Sequence, residues 1–567
     1  MANETRNCQN CKKSFVIDSE DFAFYEKMKV PAPTWCPECR MIRRFAFTNV
    51  WNIYKRKCMK CGKDSLSIFS PDKTLKTYCL KCWWADDWDG REYGMDYDPS
   101  RPFLEQLKEL SERSIYQTLE SAYLTWTNSD YCNAAGHIKN CYLIFWADYC
   151  ENAMYSSFLN GLNDSLDCYR MKDSELCYED VGCNKCSRTY FSEECDSCTD
   201  TWFSRSCMGC VNCFGCVNLR NKSYCIWNEQ YTRDGYLEKL KELDLSSRVR
   251  LSKLKGRAYE FWVKHPRRVY SGNSLNVNVS GDYVYESKNA RDAYMVTGVE
   301  DGRYLQFISV IPTRDCYDYS GWGNGAEKVY EGNVVGEGAS NVKFSDECWP
   351  DVLDIEYSIY AVACKHVFGC VNLKRRQYCI LNKEYSKEEY ERLVAQIKED
   401  MVKNPYRDEQ GRIWPYGEFL PIDLTEFAYN ETLAHAFFPK TKEEAISSGF
   451  KWHEVVPTPY TITKQSSEVP NTLAETPEDI TNEVIGCASC GKAYRITPNE
   501  LTLMKRISMP LPKECPNCRH NARFARTNPP KFYDRKCAKC GSAIKTAYSP
   551  DRPEMVYCEK CYQAEVI

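Results

Sequence analysis

The sequence predicts a mainly β protein: a central, duplicated β-solenoid (β-helix-like) with helical caps, flanked by two small four-cysteine zinc-ribbon modules. Three observations predict it. The two ends of the chain repeat each other in cysteine spacing. The middle is itself a duplication, with FGCVNLRNKSYCIWN (214–228) returning as FGCVNLKRRQYCILN (368–382). Within each half, aromatic residues recur about every 12 residues between short segments rich in Asn, Asp, Gly and Ser. Repeats of that length with turn residues between brief apolar runs are the mark of stacked β-coils.

Residues 1–95 form the N-terminal double module. Its C-x2-C knuckles are Cys8/Cys11, Cys36/Cys39, Cys58/Cys61 and Cys79/Cys82. The C-terminal module, 485–567, has Cys487/Cys490, Cys515/Cys518, Cys537/Cys540 and Cys558/Cys561, and successive knuckles lie 28, 22 and 21 residues apart in both modules. A knuckle aims two thiolates at one ion, so four knuckles make two tetrahedral sites, which select zinc with iron as competitor. Four structural zinc ions are expected, paired sequentially, although a cross-braced pairing would use the same ligands. In segments this short and loop-rich, metal binding supplies much of the folding energy.

The stretch CQNCKKSFVIDSEDFAFYEKMKVPAPTWCPECR resembles a small bacterial treble-clef-type zinc-ribbon family. It carries a CxxC knuckle, an aromatic stretch with Phe-Tyr, a Pro-containing approach and CPxCR. The second copy keeps CPNCR but has NELTLMKR where the first has EDFAFYEK. The whole arrangement resembles large uncharacterised zinc-ribbon proteins of uncultured bacteria. The resemblance implies zinc binding and no activity.

The region between the modules reads as a helical connector (96–129), a first solenoid half (130–230), a helical insert (231–275), a second half (276–385), a helical and irregular region (386–455) and a polar, proline-bearing linker (456–484). The linker composition predicts a tethered, mobile C-terminal module. Helices after each half, including one opening Ser-x-x-Glu at 386, would cap the terminal coil.

The stretch CMGCVNCFGC poses a question of its own, since Cys207, Cys210, Cys213 and Cys216 repeat at knuckle spacing. Aligning the halves sets Cys207 on Ala361 and Cys213 on Val367, and only Cys210 and Cys216 meet cysteines, Cys364 and Cys370. Elsewhere Cys132 falls on Val284, Cys141 on Ala293, Cys150 on Val299 and Cys177 on Val329. Ligands cannot become Ala or Val, whereas small core residues exchange with them freely. The favoured reading is a ladder of core cysteines; a further metal cluster is the alternative.

Charge is segregated. Residues 1–82 and 487–567 each carry +8, which leaves −20 for the middle of a chain with net charge −4. The basic residues Arg40, Arg43, Arg44, Lys55, Arg56, Lys57, Arg519, Arg523, Arg526, Arg535 and Lys536 cluster by the second and third knuckles. On a helix, Arg40, Arg43 and Arg44 would share one face. Such a face could neutralise phosphate of RNA or single-stranded DNA, alone or in a ribonucleoprotein. Its rival is a face docked on the chain's own acidic middle. A zinc-binding, non-enzymatic binding protein follows, with a protein-interaction scaffold as alternative and a β-helix carbohydrate-active enzyme behind both. Closed four-cysteine sites offer no open coordination position, the six histidines are scattered, and nucleotide-loop and nucleophile-elbow motifs are absent. Without an apolar leader or an 18-residue apolar run, the 35 cysteines point to a reducing, cytoplasmic setting away from membranes.

Overall fold

The computed structural model describes residues 3–273, 275–455 and 460–566. The architecture is mixed α/β, built on two large sheets. Its longer helices are α1 (Ser19–Met28), α2 (Pro37–Phe45), α3 (Phe103–Arg113), α4 (Arg233–Leu243), α5 (Arg248–Trp262), α6 (Lys387–Lys403), α7 (Pro498–Arg506) and α8 (Pro516–Phe524). The chain divides into two compact units, neither continuous. Unit 1 joins Met1–Leu119 to Tyr270–Glu454, with Pro529–Phe532; unit 2 joins Glu120–Val269 to Val455–Asn528 and Tyr533–Ile567. Each terminal module therefore shares a unit with the repeat half farther from it in sequence.

In unit 2, nine strands between Asn133 and Gln230 pair in sequence order, all parallel except the last pair. The register advances 12 residues at every step, as in Tyr142↔Met154, Ser157↔Tyr169, Ser187↔Thr199 and Val211↔Ser223. Inside this beat lies a shorter one. Every third residue from Asn128 to Trp227 has positive φ, and every third residue from Cys132 to Cys216, one past each such corner, is buried. An L-residue in the left-handed region costs on the order of 1 kcal/mol. Asn and Asp, which bear it best, stand at many corners, and Asn128, Asn140, Asn152 and Asp164 hydrogen-bond in a ladder at 2.8, 3.1 and 2.9 Å. Tyr, Phe and Trp occupy other corners, held there by ladder hydrogen bonds from one repeat to the next.

This triplet explains the cysteines. Four consecutive buried positions make one 12-residue repeat, and in CMGCVNCFGC all four are Cys. The buried apolar residues in the core of this sheet are Cys with Ala, Ile, Leu and Met, and the half-buried Trp126 and Leu219 pack against them. Unit 1 repeats the plan over residues 281–384 with Val, Ala, Ile and Leu replacing most of the cysteines. Its register steps vary, 12 at Gly281↔Ala293, 14 at Val299↔Thr313, 13 at Thr313↔Ala326 and 12 again at Leu353↔Lys365. Extra residues therefore enter at particular corners without breaking the parallel ladder.

Both sheets end in a short antiparallel strand, Glu229–Gln230 and Lys383–Glu384, followed by α4 and α6. Ser386 caps α6 through the box its Ser-x-x-Glu pattern predicts. Helix α5 lays Leu251, Leu254, Ala258 and Trp262 into the core of unit 2.

The expected linker does not behave as a tether where it is described. Residues 456–459 lie outside the described residues, but Lys464 pairs with Ile485, and Val469 and Ile480 are buried in the core of unit 2. Two apolar anchors and backbone pairing outweigh a polar composition.

Candidate metal centres

The sixteen module cysteines gather into four groups: Cys8/Cys11/Cys36/Cys39, Cys58/Cys61/Cys79/Cys82, Cys487/Cys490/Cys515/Cys518 and Cys537/Cys540/Cys558/Cys561. In each, all four sulfurs lie within 4.8 Å of one another, in the sequential pairing. Neighbouring knuckles approach at Sγ–Sγ distances of 3.7 Å (Cys11–Cys36), 4.0 Å (Cys61–Cys79), 3.8 Å (Cys490–Cys515) and 3.8 Å (Cys540–Cys558). A tetrahedron with Zn–S bonds of about 2.3 Å has edges of about 3.8 Å, so the groups are geometrically compatible with zinc.

Local sequence builds these groups. The residue after each first knuckle turns with positive φ, and it is Gly62, Gly491 and Gly541 in three groups and Lys12 in the fourth. Only glycine adopts that geometry without steric cost. The second knuckle of the first group opens α2, with Cys36 as N-cap and Pro37 as first residue; Cys515 and Pro516 do the same for α8. Helix N-termini favour negative charge, here a thiolate. Burial opposes ionisation of Cys58, yet backbone N–H groups of Cys61, Cys79 and Lys60 outweigh it and bring the thiol down to about 7. Cys487 reaches about 7 in the same way.

The cysteines of CMGCVNCFGC are built differently. Cys207, Cys210, Cys213 and Cys216 each donate Sγ–H to the carbonyl two residues earlier, at 3.6, 3.5, 3.7 and 3.4 Å. Among the described residues, no three of them bring their sulfurs within 4.8 Å of one another. They line the core of the sheet, each sulfur against a backbone carbonyl.

The basic residues fall into three fates. Arg40, Arg43 and Arg44 do share one face of α2, and that face is turned inward. Arg40 reaches Asp318 at 2.8 Å, Arg43 reaches Glu331 at 2.7 Å and Glu418 at 2.9 Å, and Arg44 reaches Glu331 at 3.0 Å. None of these six side chains is more than 2% exposed. Arg43 also lies over the rings of Trp35 and Trp414, 4.6 and 5.2 Å from their centroids. In unit 2, Arg519 and Arg523 converge on Asp167, both at 2.8 Å, and Arg526 meets Glu193 at 2.6 Å. The phosphate-binding role expected of these six arginines is not available to them in the folded chain, because each is taken by a buried carboxylate.

Arg56 and Arg535 have a second fate, donating to loop carbonyls: Ser70, Lys73 and Leu75 for the one, Ser549 and Glu554 for the other. Lys55, Lys57 and Lys536 remain exposed. The acidic partners Asp318, Glu331, Glu418 and Asp167 have no motif to mark them. The segregation of charge between ends and middle is the signal that anticipates them. Glu193 and Asp180 are buried as well. Burial raises Glu193, but Arg526 and Arg267 beside it overcome that and hold it at about 2.

No helix among the described residues is long and apolar enough to cross a membrane. No protein-family description matches this chain, and no curated protein does. One solved structure that matches is of a proposed acetyltransferase from Desulfovibrio desulfuricans G20, at 10% identity over 51% of this chain and 86% of that one, with a TM-score of 0.10. A likeness so slight carries no argument about fold or function, and the site's own chemistry supports a metal-binding protein with four candidate centres of four cysteines each.

Proposed function

We propose that this chain is a zinc-binding, non-enzymatic binding protein of a reducing, cytoplasmic compartment. In this reading the two sheets are β-solenoids, each clamped along one side by a zinc-ribbon module. The observation that carries it is the double duty of α2 and α8. Each helix holds ligands of one four-cysteine group and, within the same nine residues, arginines that enter the carboxylates of the neighbouring sheet. The zinc is then structural, because four thiolates leave no open coordination position for a reacting group. A clamped solenoid offers long, regular outer faces for a macromolecular partner, here a nucleic acid or ribonucleoprotein; a protein partner is the alternative for the same faces.

Anaerobically purified protein should contain four zinc ions per chain and lack visible absorption. A brown sample, or fewer than four ions, would sink the reading. Copurifying material released by nuclease would favour nucleic acid, and capture indifferent to nuclease would favour protein.

A further inference from the structure

Nearly every arginine of the modules is spent on carboxylates or carbonyls, yet one cationic surface in unit 2 is not. Helix α5 buries Leu251, Leu254, Ala258 and Trp262. On its outer side stand Arg250, Lys253 and Arg257, all exposed. At 100° per residue these three fall within about 60° of one another around the helix axis. Lys264, also exposed, follows two residues after the helix ends. Among the described residues none of the four has a carboxylate within ion-pair distance, and Glu260 is the sole acidic residue between Arg248 and Arg268. Cations nearby on the same segment are paired: Lys255 with Glu179, Arg267 with Glu193 and Arg268 with Glu559.

A second observation indicates what these charges meet. A row of partly exposed rings runs beside them: Trp227 packs edge-on to Phe261 at 5.5 Å, and Phe261 meets His265 at 4.6 Å. Arg257 lies over Trp227, 4.5 Å from the ring centroid. Cations interleaved with accessible rings match a strand whose phosphates alternate with stackable bases. An anionic membrane fits less well. Surface-lying helices insert an apolar face, and the apolar face of α5 is already committed to the core.

We propose that the outer face of α5, with Trp227, Phe261 and His265 beside it, binds single-stranded nucleic acid through Arg250, Lys253, Arg257 and Lys264. The proposal rests on the reading of the chain as a binding protein and assigns the partner's place on it. The test uses the full-length, zinc-loaded protein and a fluorescein-labelled 20-nucleotide uridine or thymidine strand, read by anisotropy. Four phosphate contacts on a single strand imply a salt slope near −0.7 × 4, so affinity should fall about 50-fold from 50 to 200 mM KCl. The variant R250E/K253E/R257E/K264E should lose at least that factor at 50 mM, and the neutral set R250Q/K253Q/R257Q/K264Q should lose part of it. Unchanged binding by both variants overturns the proposal, as does absence of wild-type binding at 50 mM. Phosphatidylserine vesicles that bind the wild type better than the strand, with the same sensitivity to reversal, would assign the face to membranes instead. Zinc content and melting temperature are measured on every sample. Four zinc ions with no strand binding would fail this surface alone, whereas a shortfall of zinc would fail the clamp reading.

Discussion

Arg43→Met isolates the ion-pair core that holds α2 to the sheet of unit 1. Arg43 bridges Glu331 and Glu418 at 2.7 and 2.9 Å with none of its side chain exposed. Methionine fills much of the same volume between Trp35 and Trp414 but leaves carboxylates short of a cation. Breaking a buried pair by removing one partner costs about 3–5 kcal/mol, most of it the desolvation of the charge left behind. Loss of the contact with two indole rings adds to the same side, by about 1–2 kcal/mol when desolvated. Packing of the thioether returns a comparable amount, so about 3–5 kcal/mol remains. A chain of two units is not a two-state system, so the assay is native-state hydrogen exchange at the amides of α2. If they exchange through release of the helix, about 3–5 kcal/mol appears as about 10²- to 10⁴-fold faster exchange. Glu331 keeps Arg44 at 3.0 Å, so the double variant R43M/E418Q removes the one carboxylate left without a cation and should recover most of the protection. Exchange within tenfold of wild type in R43M, or no recovery in the double variant, would refute the claim that this network anchors the module.

Three other outcomes follow from the same structure. Cys39→Ser should reduce bound zinc from four ions to three, whereas Cys213→Val and Cys210→Ala should leave it at four, as elemental analysis will record. Chelation of zinc should release the amides of α2 and α8 before those of the sheets, because the helices hold ligands and the sheets hold none; simultaneous loss would contradict it. Burial pushes the Asp180 carboxyl up to about 7, against hydrogen bonds from Thr189 at 2.6 Å and the Ser192 amide at 2.7 Å. Its unfolded value is near ~3.9, so the folded state holds the proton more tightly. The stability this gives is complete below pH ~4 and is lost as pH rises towards 7. Asp180→Asn should therefore stabilise unit 2 by about 2–4 kcal/mol at pH 8 and by little at pH 4, which thermal melts at the two pH values would check.

Whatever depends on neighbours along the chain is legible before any folding is known. Knuckle spacing names all sixteen candidate ligands, since two cysteines three residues apart need only a local turn to converge. The 12-residue beat and the exchange of Cys213 for Val367 between the halves mark a repeated core without any contact being known. The capped helix at Ser386 is equally local. The triplet inside the beat is hidden, because its corners hold Tyr155, Phe191 and Trp227 as readily as Asn or Gly. No single-residue preference puts those rings in the left-handed region; the ladder of the neighbouring repeats does. The destination of the arginines belongs to tertiary structure alone. Arg40 and Asp318 are 278 residues apart, and Arg519 and Asp167 are 352. A basic helix face reads the same whether it meets phosphate, water or a buried carboxylate. Only the folding of each module onto the distant half of the repeat shows which of these neutralises it.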